Sequence, residues 1–221
     1  AFDSAGQRCS ALRILCVQDD IAGPFLAMLR GALQELRIGA PDELHVDIGP
    51  VISAAAQARI NAHISAMRAT GHRVEQVALD EATAQGTFVA PTIIEIDHVG
   101  QLGCEVFGPV LHVLRFARED LGELMDQIRS TGYGLTFGIH SRIDETIEEV
   151  VSQAEAGNIY INRNIIGAIV GVQPFGGSGL SGTGPKAGGP LYLSRLAKPR
   201  ARERVEIDGQ DNIPTPGRIT G

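Results

Sequence analysis

Short, almost wholly apolar runs alternate along this chain with segments whose apolar residues recur every three or four positions. That alternation limits the folds open to it. Ala11–Gln18 (ALRILCVQ), Val74–Leu79, Thr87–Ile96 (TFVAPTIIEI), Val110–Phe116, Leu135–His140 and Asn158–Asn162 read as strands. Asp19–Leu36, Ser53–Thr70, Asp120–Ser130 and Ser141–Ala156 read as helices. Ile60, Ile64 and Met67 fall on one face of the second helix, and Ile143, Ile147, Val150, Val151 and Ala154 form a stripe on the last. Asp19 or Asp20 is the expected N-cap of the first helix, with Pro24 tolerated because it lies near the first turn. Continuous apolar strands separated by helices are strands buried on both faces. The fold expected is therefore α/β, with a mainly parallel sheet and flanking helices.

From Gly167 the character changes. Gly167–Gly189 holds nine glycines in 23 residues, too many for the interior of a helix or strand, so a loop is expected there. Within it, Gly177-Ser178-Gly179-Leu180-Ser181-Gly182 satisfies GxGxxG. A dinucleotide loop of that form needs a strand directly before it and a helix directly after. Here Gln173-Pro174-Phe175-Gly176 precedes it and Thr183-Gly184-Pro185 follows, so it is rejected as such a loop. Lys186 is not followed by Ser or Thr, which excludes a Walker pattern as well. After Leu196 the chain turns basic (KPRARER). An alternating stretch over Arg204–Asp208 and a polar tail over Gly209–Gly221 follow, which divides the chain into residues 1–196 and 197–221.

The 221 residues carry a net charge of −7, which disfavours a nucleic-acid or anionic-membrane surface. No apolar run approaches the roughly 18 residues a membrane-spanning helix needs, and no signal-peptide pattern opens the chain. The three cysteines, Cys9, Cys16 and Cys104, make neither a disulfide framework nor a CxxC metal site, so a reducing, cytoplasmic compartment is expected. None of the six histidines has metal-ligand spacing, and no metal is expected.

Two short stretches carry chemistry. In SAGQRCSALR, Cys9 follows a glycine-containing turn and stands near Arg8 and Arg13, whose charge would favour a thiolate. Against that stands the commoner fate of a cysteine, simple burial. In Glu105-Val106-Phe107-Gly108-Pro109-Val110, alternation puts a carboxylate and an aromatic ring on one side of an extended segment. A ribose hydroxyl site would want that arrangement, while a solvated Glu and a core Phe are the plainer reading.

Five motifs in order, GQRCSA, EVFGPVL, GLTFGIHS, GNIYIN and QPFGGSGLSGTGPKAGG, resemble the landmarks of the aldehyde dehydrogenase superfamily from Cys9 to about Leu193. Within it, AGQRCSALR, IIGAIVGVQPFGG and SGTGPKAGGP are most similar to the glutamate-semialdehyde (pyrroline-5-carboxylate) dehydrogenases, in particular the module found in bifunctional proline utilisation A enzymes. The resemblance implies an aldehyde dehydrogenase catalytic-domain-like fold and roles for seven residues. Cys9 is the implied nucleophile, with its backbone N–H holding the oxyanion. Glu105 binds the nicotinamide ribose of NAD, and Phe107 packs near the nicotinamide. Gly167, Ala168 and Ser10 bind the substrate carboxylate, and Phe175 covers its aliphatic stem. Where the subfamily carries Ser, this chain has Ala168, which removes a side-chain donor.

The implied reaction is thiolate addition to an aldehyde, hydride transfer to NAD and hydrolysis of a thioester. The family's NAD-binding domain, general-base Glu and oxyanion Asn precede the nucleophile. The expectation is therefore the C-terminal part of a longer enzyme, inactive alone, with FAD relevant only if an upstream proline dehydrogenase domain exists. Arg204–Asp208 matches a strand that pairs with a neighbouring subunit, which implies a homo-oligomer. Two other readings remain at this point: an aldehyde dehydrogenase of another substrate class, and a non-catalytic assembly module of the same fold.

Overall fold

A computed structural model describes residues 1–169 and 171–197. Its centre is a four-stranded sheet in the order β1-β4-β3-β2, made of β1 (Ile14–Gln18), β2 (Val74–Gln76), β3 (Thr92–Ile96) and β4 (Val110–Phe116). β1 runs parallel to β4, and β4 parallel to β3; only the edge strand β2 is antiparallel. α1 (Asp19–Gln34) covers one face through Ala22, Leu26 and Leu33, which join Val17, Ile93, Leu111 and Val113 in one cluster. α2 (Ala54–Ala69) covers the other through Ile60, Ile64 and Met67, against Ile94, Ile96, Val110 and Leu114. Successive strand residues point to opposite faces, so one apolar strand supplies both cores, as expected for a sheet buried on both sides. Arg30 of α1 ties the helix to the sheet, bonding Glu75 at 2.7 Å and also Glu95, which in turn accepts from Arg115 at 3.3 Å.

After α3 (Leu121–Ser130) come smaller elements: β5 (Tyr133–Gly134), β6 (Thr136–Ile139), α4 (Asp144–Gln153), β7 (Asn158–Ile161), β8 (Ser178–Gly179) and α5 (Tyr192–Leu196). β6 and β7 pair in parallel, and β5 and β8 antiparallel. The outer edge of β1 faces an open groove of about 1320 Å³, with Thr136–Ile139 of β6 across it.

Several sequence expectations change here. The stretch Thr87–Pro91 stays outside β3, because Pro91 has no N–H to give a ladder. β2 stops at Gln76, three residues short of Leu79. The N-cap of α1 is Gln18, whose side chain accepts no helix N–H and instead donates to the Asp20 carboxylate at 2.6 Å. Pro24 lies beyond the first turn, on an exposed face of the helix. On α4 the stripe is only partly used: Val150 is buried while Ile143 is exposed. The glycine stretch is not all loop, since it contributes β8 and a bridge between Phe175 and Ala187. The Arg204–Asp208 strand lies outside the described residues.

One buried polar pair sits between α2 and the sheet. His112 of β4, 1% exposed, has its Nε2 2.9 Å from Nε2 of His63 on α2. His112 Nδ1 lies 3.2 Å from the Arg13 carbonyl, which can only accept, so Nδ1 carries the proton and His63 Nε2–H donates to His112 Nε2. Burial, then the neighbouring His63, pushes His112 down to about 4. A depressed histidine favours the neutral folded state, so its contribution is full above about pH 6.5 and is lost as pH falls toward 4. The size is on the order of 3 kcal/mol. Urea unfolding between pH 7 and 4 should therefore show falling stability, and His112→Phe should flatten that slope.

Candidate functional site

The stretch before Cys9 is held by unusual backbone. Ser4 (φ 54°), Ala5 (φ 53°) and Gly6 (φ 67°) all lie in the left-handed region. For Ser4 and Ala5 that costs about 1–3 kcal/mol each, and it persists only where the surroundings enforce it. The surroundings do. Ala5 is buried in the α2-side core, and a Cβ on Gly6 would overlap the Gly108 carbonyl. Gly108 in turn presses on Ile60, where a Cβ would overlap the Ile60 side chain. Gln7 pins the same turn from outside: its Oε1 accepts from Ile52 N at 2.8 Å, and its Nε2 donates to Ser4 O at 3.3 Å.

The chain then makes a tight turn in which Ala11 N donates to Arg8 O at 3.1 Å. Cys9 and Ser10 occupy its two central positions and point differently: Cys9 is exposed, and Ser10 is buried. Ser10 Oγ accepts from Gly167 N at 3.0 Å, a contact across 157 residues. Gly167 has φ 69°, and its carbonyl lies 3.4 Å from the Tyr160 hydroxyl of β7. The structure thus joins Cys9, Ser10 and Gly167, with Ala168 next in the chain. Because Gly167 N–H already serves Ser10, it orients that hydroxyl rather than standing open to an anion.

Glu105 and Phe107 do share a side, as the alternation implied. Arg13 Nε donates to Glu105 Oε1 at 2.9 Å, and the guanidinium carbon sits 4.5 Å from the Phe107 ring centroid. Cys9, Glu105 and Phe107 all line the groove beside β1; Ser10, Gly167, Ala168 and Phe175 do not. Phe175 is half-buried, and its backbone pairs with Ala187 (Phe175 N to Ala187 O 3.0 Å). Arg8 and Arg13 are not aimed at the thiol. Arg8 Nε donates to Ser4 Oγ at 3.0 Å, and Arg13 is committed to Glu105 and to backbone carbonyls. Burial pushes the Cys16 thiol up to about 12, so it stays protonated.

NAD fits the residues present. Glu105 Oε2 has no partner among the described residues, and the exposed Phe107 lines the same groove as Cys9 and Glu105. The GxGxxG stretch has another task. Gly177, Gly179 and Gly182 pack backbone on backbone against one another and against Gly132 and Gly134, where Ser181 Oγ accepts from Gly134 N at 3.1 Å. Asn158 clamps the same run, donating to Pro174 O at 2.9 Å and accepting from Gly176 N at 3.2 Å. Among the described residues no group of three or more His, Cys, Asp or Glu could hold a metal, and no helix is long and apolar enough to cross a membrane. Sequence reading missed the His63–His112 pair and the part played by Arg13, because neither has a local pattern: their partners come from distant segments.

Gly6 gives a direct test of the turn. Gly6→Ala should cost well over about 1 kcal/mol in thermal unfolding. Gly71→Ala, at φ 89° with nothing near its would-be Cβ, should cost clearly less.

Residues 1–201 match the aldehyde dehydrogenase family. The chain is 57% identical over 218 residues to the bifunctional protein PutA of Escherichia coli K12, covering 96% of this chain and 16% of that protein. It is 35% identical over 196 residues to the 1-pyrroline-5-carboxylate dehydrogenase of Geobacillus kaustophilus, covering 87% of this chain and 37% of that one. A crystal structure of a Bradyrhizobium japonicum proline utilization A mutant superposes with a TM-score of 0.85 at 54% identity, over 90% of this chain and 20% of that one. The chain spans about a sixth of the bifunctional relatives it matches. By the breadth of these matches, it belongs to the aldehyde dehydrogenase family.

Proposed function

We propose that this chain is the nucleophile-bearing part of an NAD-dependent dehydrogenase that oxidises L-glutamate γ-semialdehyde to L-glutamate in proline catabolism. The proposal is made for a protein in which residues 1–196 form the catalytic domain, joined to an NAD-binding region. FAD enters only where the same polypeptide also carries a proline-oxidising domain. The segment after residue 196 is proposed as an oligomerisation strand and tail, and the setting as cytoplasmic, where a free thiol survives.

The observation that supports the reading is the Ser10–Gly167 hydrogen bond, which orients the Ser10 hydroxyl next in sequence to the exposed Cys9. Cys9 Sγ attacks the aldehyde carbon, and the Cys9 backbone N–H donates to the oxygen as it gains charge. Glu105 and Phe107 would hold NAD, which would supply the acceptor for the hydride. Water then hydrolyses the Cys9 thioester and frees the acid. The substrate carboxylate accepts from the Ser10 hydroxyl, which Gly167 N–H holds in orientation, and from the Ala168 backbone N–H. Phe175 supplies apolar cover for the aliphatic stem. No Lys or Arg is needed for the anion, which leaves both arginines near Cys9 to their structural partners.

In the full-length protein Cys9→Ala should abolish aldehyde oxidation. Ser10→Ala should raise KM for glutamate semialdehyde about 10- to 100-fold, the worth of a hydrogen bond to a charged group, and leave KM for propionaldehyde nearly unchanged. If propionaldehyde outruns glutamate semialdehyde on the unmodified enzyme, the substrate assignment is wrong and another aldehyde class is indicated.

A further inference from the structure

Arg13 connects the Cys9 turn to Glu105, which lies 92 residues from Arg13 itself. It directly precedes β1, and its backbone is fixed by the sheet: its carbonyl accepts from His112 N at 3.0 Å. Its side chain, 15% exposed, commits each guanidinium nitrogen to a different acceptor. Nη1 donates to Gly6 O at 2.6 Å, Nη2 to Arg8 O at 3.0 Å and Nε to Glu105 Oε1 at 2.9 Å. The plane of the same group lies over Phe107.

The bond to Arg8 O reaches the chemistry through the peptide itself. The Arg8 carbonyl and the Cys9 N–H are opposite edges of one planar trans unit, and the described backbone has no cis bonds. Holding the oxygen from one side fixes where the N–H points. A cationic donor on that oxygen also draws electron density from the amide nitrogen, so the N–H becomes a stronger donor. At the other end the bond to Oε1 holds the Glu105 carboxylate and leaves Oε2 without a partner among the described residues. A lysine carries its donors on one nitrogen and lacks the planar fork, so it does not reproduce this three-nitrogen arrangement.

We infer that Arg13 is a positioning residue, aiming the Cys9 peptide N–H at the developing oxyanion and the Glu105 carboxylate at the cofactor ribose through one guanidinium. This rests on the dehydrogenase reading proposed above.

The test compares full-length wild type with Arg13→Met and Arg13→Lys in four readouts: NAD⁺ affinity by calorimetry, kcat at saturating NAD⁺, iodoacetamide alkylation of Cys9, and Tm. Arg13→Met should lower kcat by about 100-fold, the loss typical of a disturbed oxyanion donor. It should weaken NAD⁺ binding by about tenfold. Alkylation forms no oxyanion and should change by less than about threefold. Arg13→Lys should recover one deficit and not the other. The inference is overturned if alkylation and Tm fall in step with kcat, if kcat and NAD⁺ affinity both hold, or if lysine restores both. Should Arg13→Met not fold, the lysine variant decides alone, since full recovery of both readouts contradicts the inference. If wild type oxidises propionaldehyde and not glutamate semialdehyde, the same comparison is made with propionaldehyde. If wild type oxidises no aldehyde, the dehydrogenase reading fails, and this inference with it.

Discussion

The Gly6 Cα sits so close to the Gly108 carbonyl that no side chain fits between them, and Gly108 is itself backed by Ile60 of α2. Through that contact the nucleophile turn, the Glu105–Pro109 segment and the helix-covered core become one piece. It explains why Ser4 and Ala5 stay left-handed: the alternative would lift Ala5 out of the core and separate the two segments. Backbone strain of this kind is tolerated where packing over-determines the chain, and here it sets the position of an exposed thiol.

From that anchor the site is built outward by a few long-range bonds. The stiff β1–β4 pair carries Arg13 at its entry, and Arg13 grips both the turn before Cys9 and the carboxylate at Glu105. Ser10 hangs on the inner side of the same turn and meets Gly167, which β7 and Tyr160 hold in place. The glycine-rich run behind them provides close backbone packing around Gly132, Gly134 and Gly157 rather than a phosphate cradle. A rigid parallel sheet with reactive groups on the loops at its ends is a usual division of labour in α/β proteins.

Much of this was legible in the sequence. The alternation of apolar strands with amphipathic helices carried the fold, because burial on both faces leaves a plain pattern in residues such as those of VLHVLRF. Cys9, Glu105 and Phe107 were readable as candidates, and the two-residue alternation between Glu105 and Phe107 correctly put them on one side. What the sequence hid has a common physical cause. The β8 pairing and the His63–His112 pair depend on partners far along the chain, which local periodicity does not carry. The arginines misled in a different way. Proximity in sequence suggested that they charge the thiol, while the fold spends Arg8 on Ser4 and Arg13 on Glu105 and backbone oxygens.

The central claim of the proposed function is that Cys9, on its exposed turn, is the nucleophile and the most reactive of the three thiols. Competitive iodoacetamide labelling of the full-length protein at neutral pH, read by peptide mass spectrometry, measures it directly. The account predicts that Cys9 is modified well before the exposed Cys104, and that Cys16, buried and held protonated, is modified last. Labelling of Cys9 no faster than Cys104 would contradict it, and would return this chain to a shared fold without the shared chemistry.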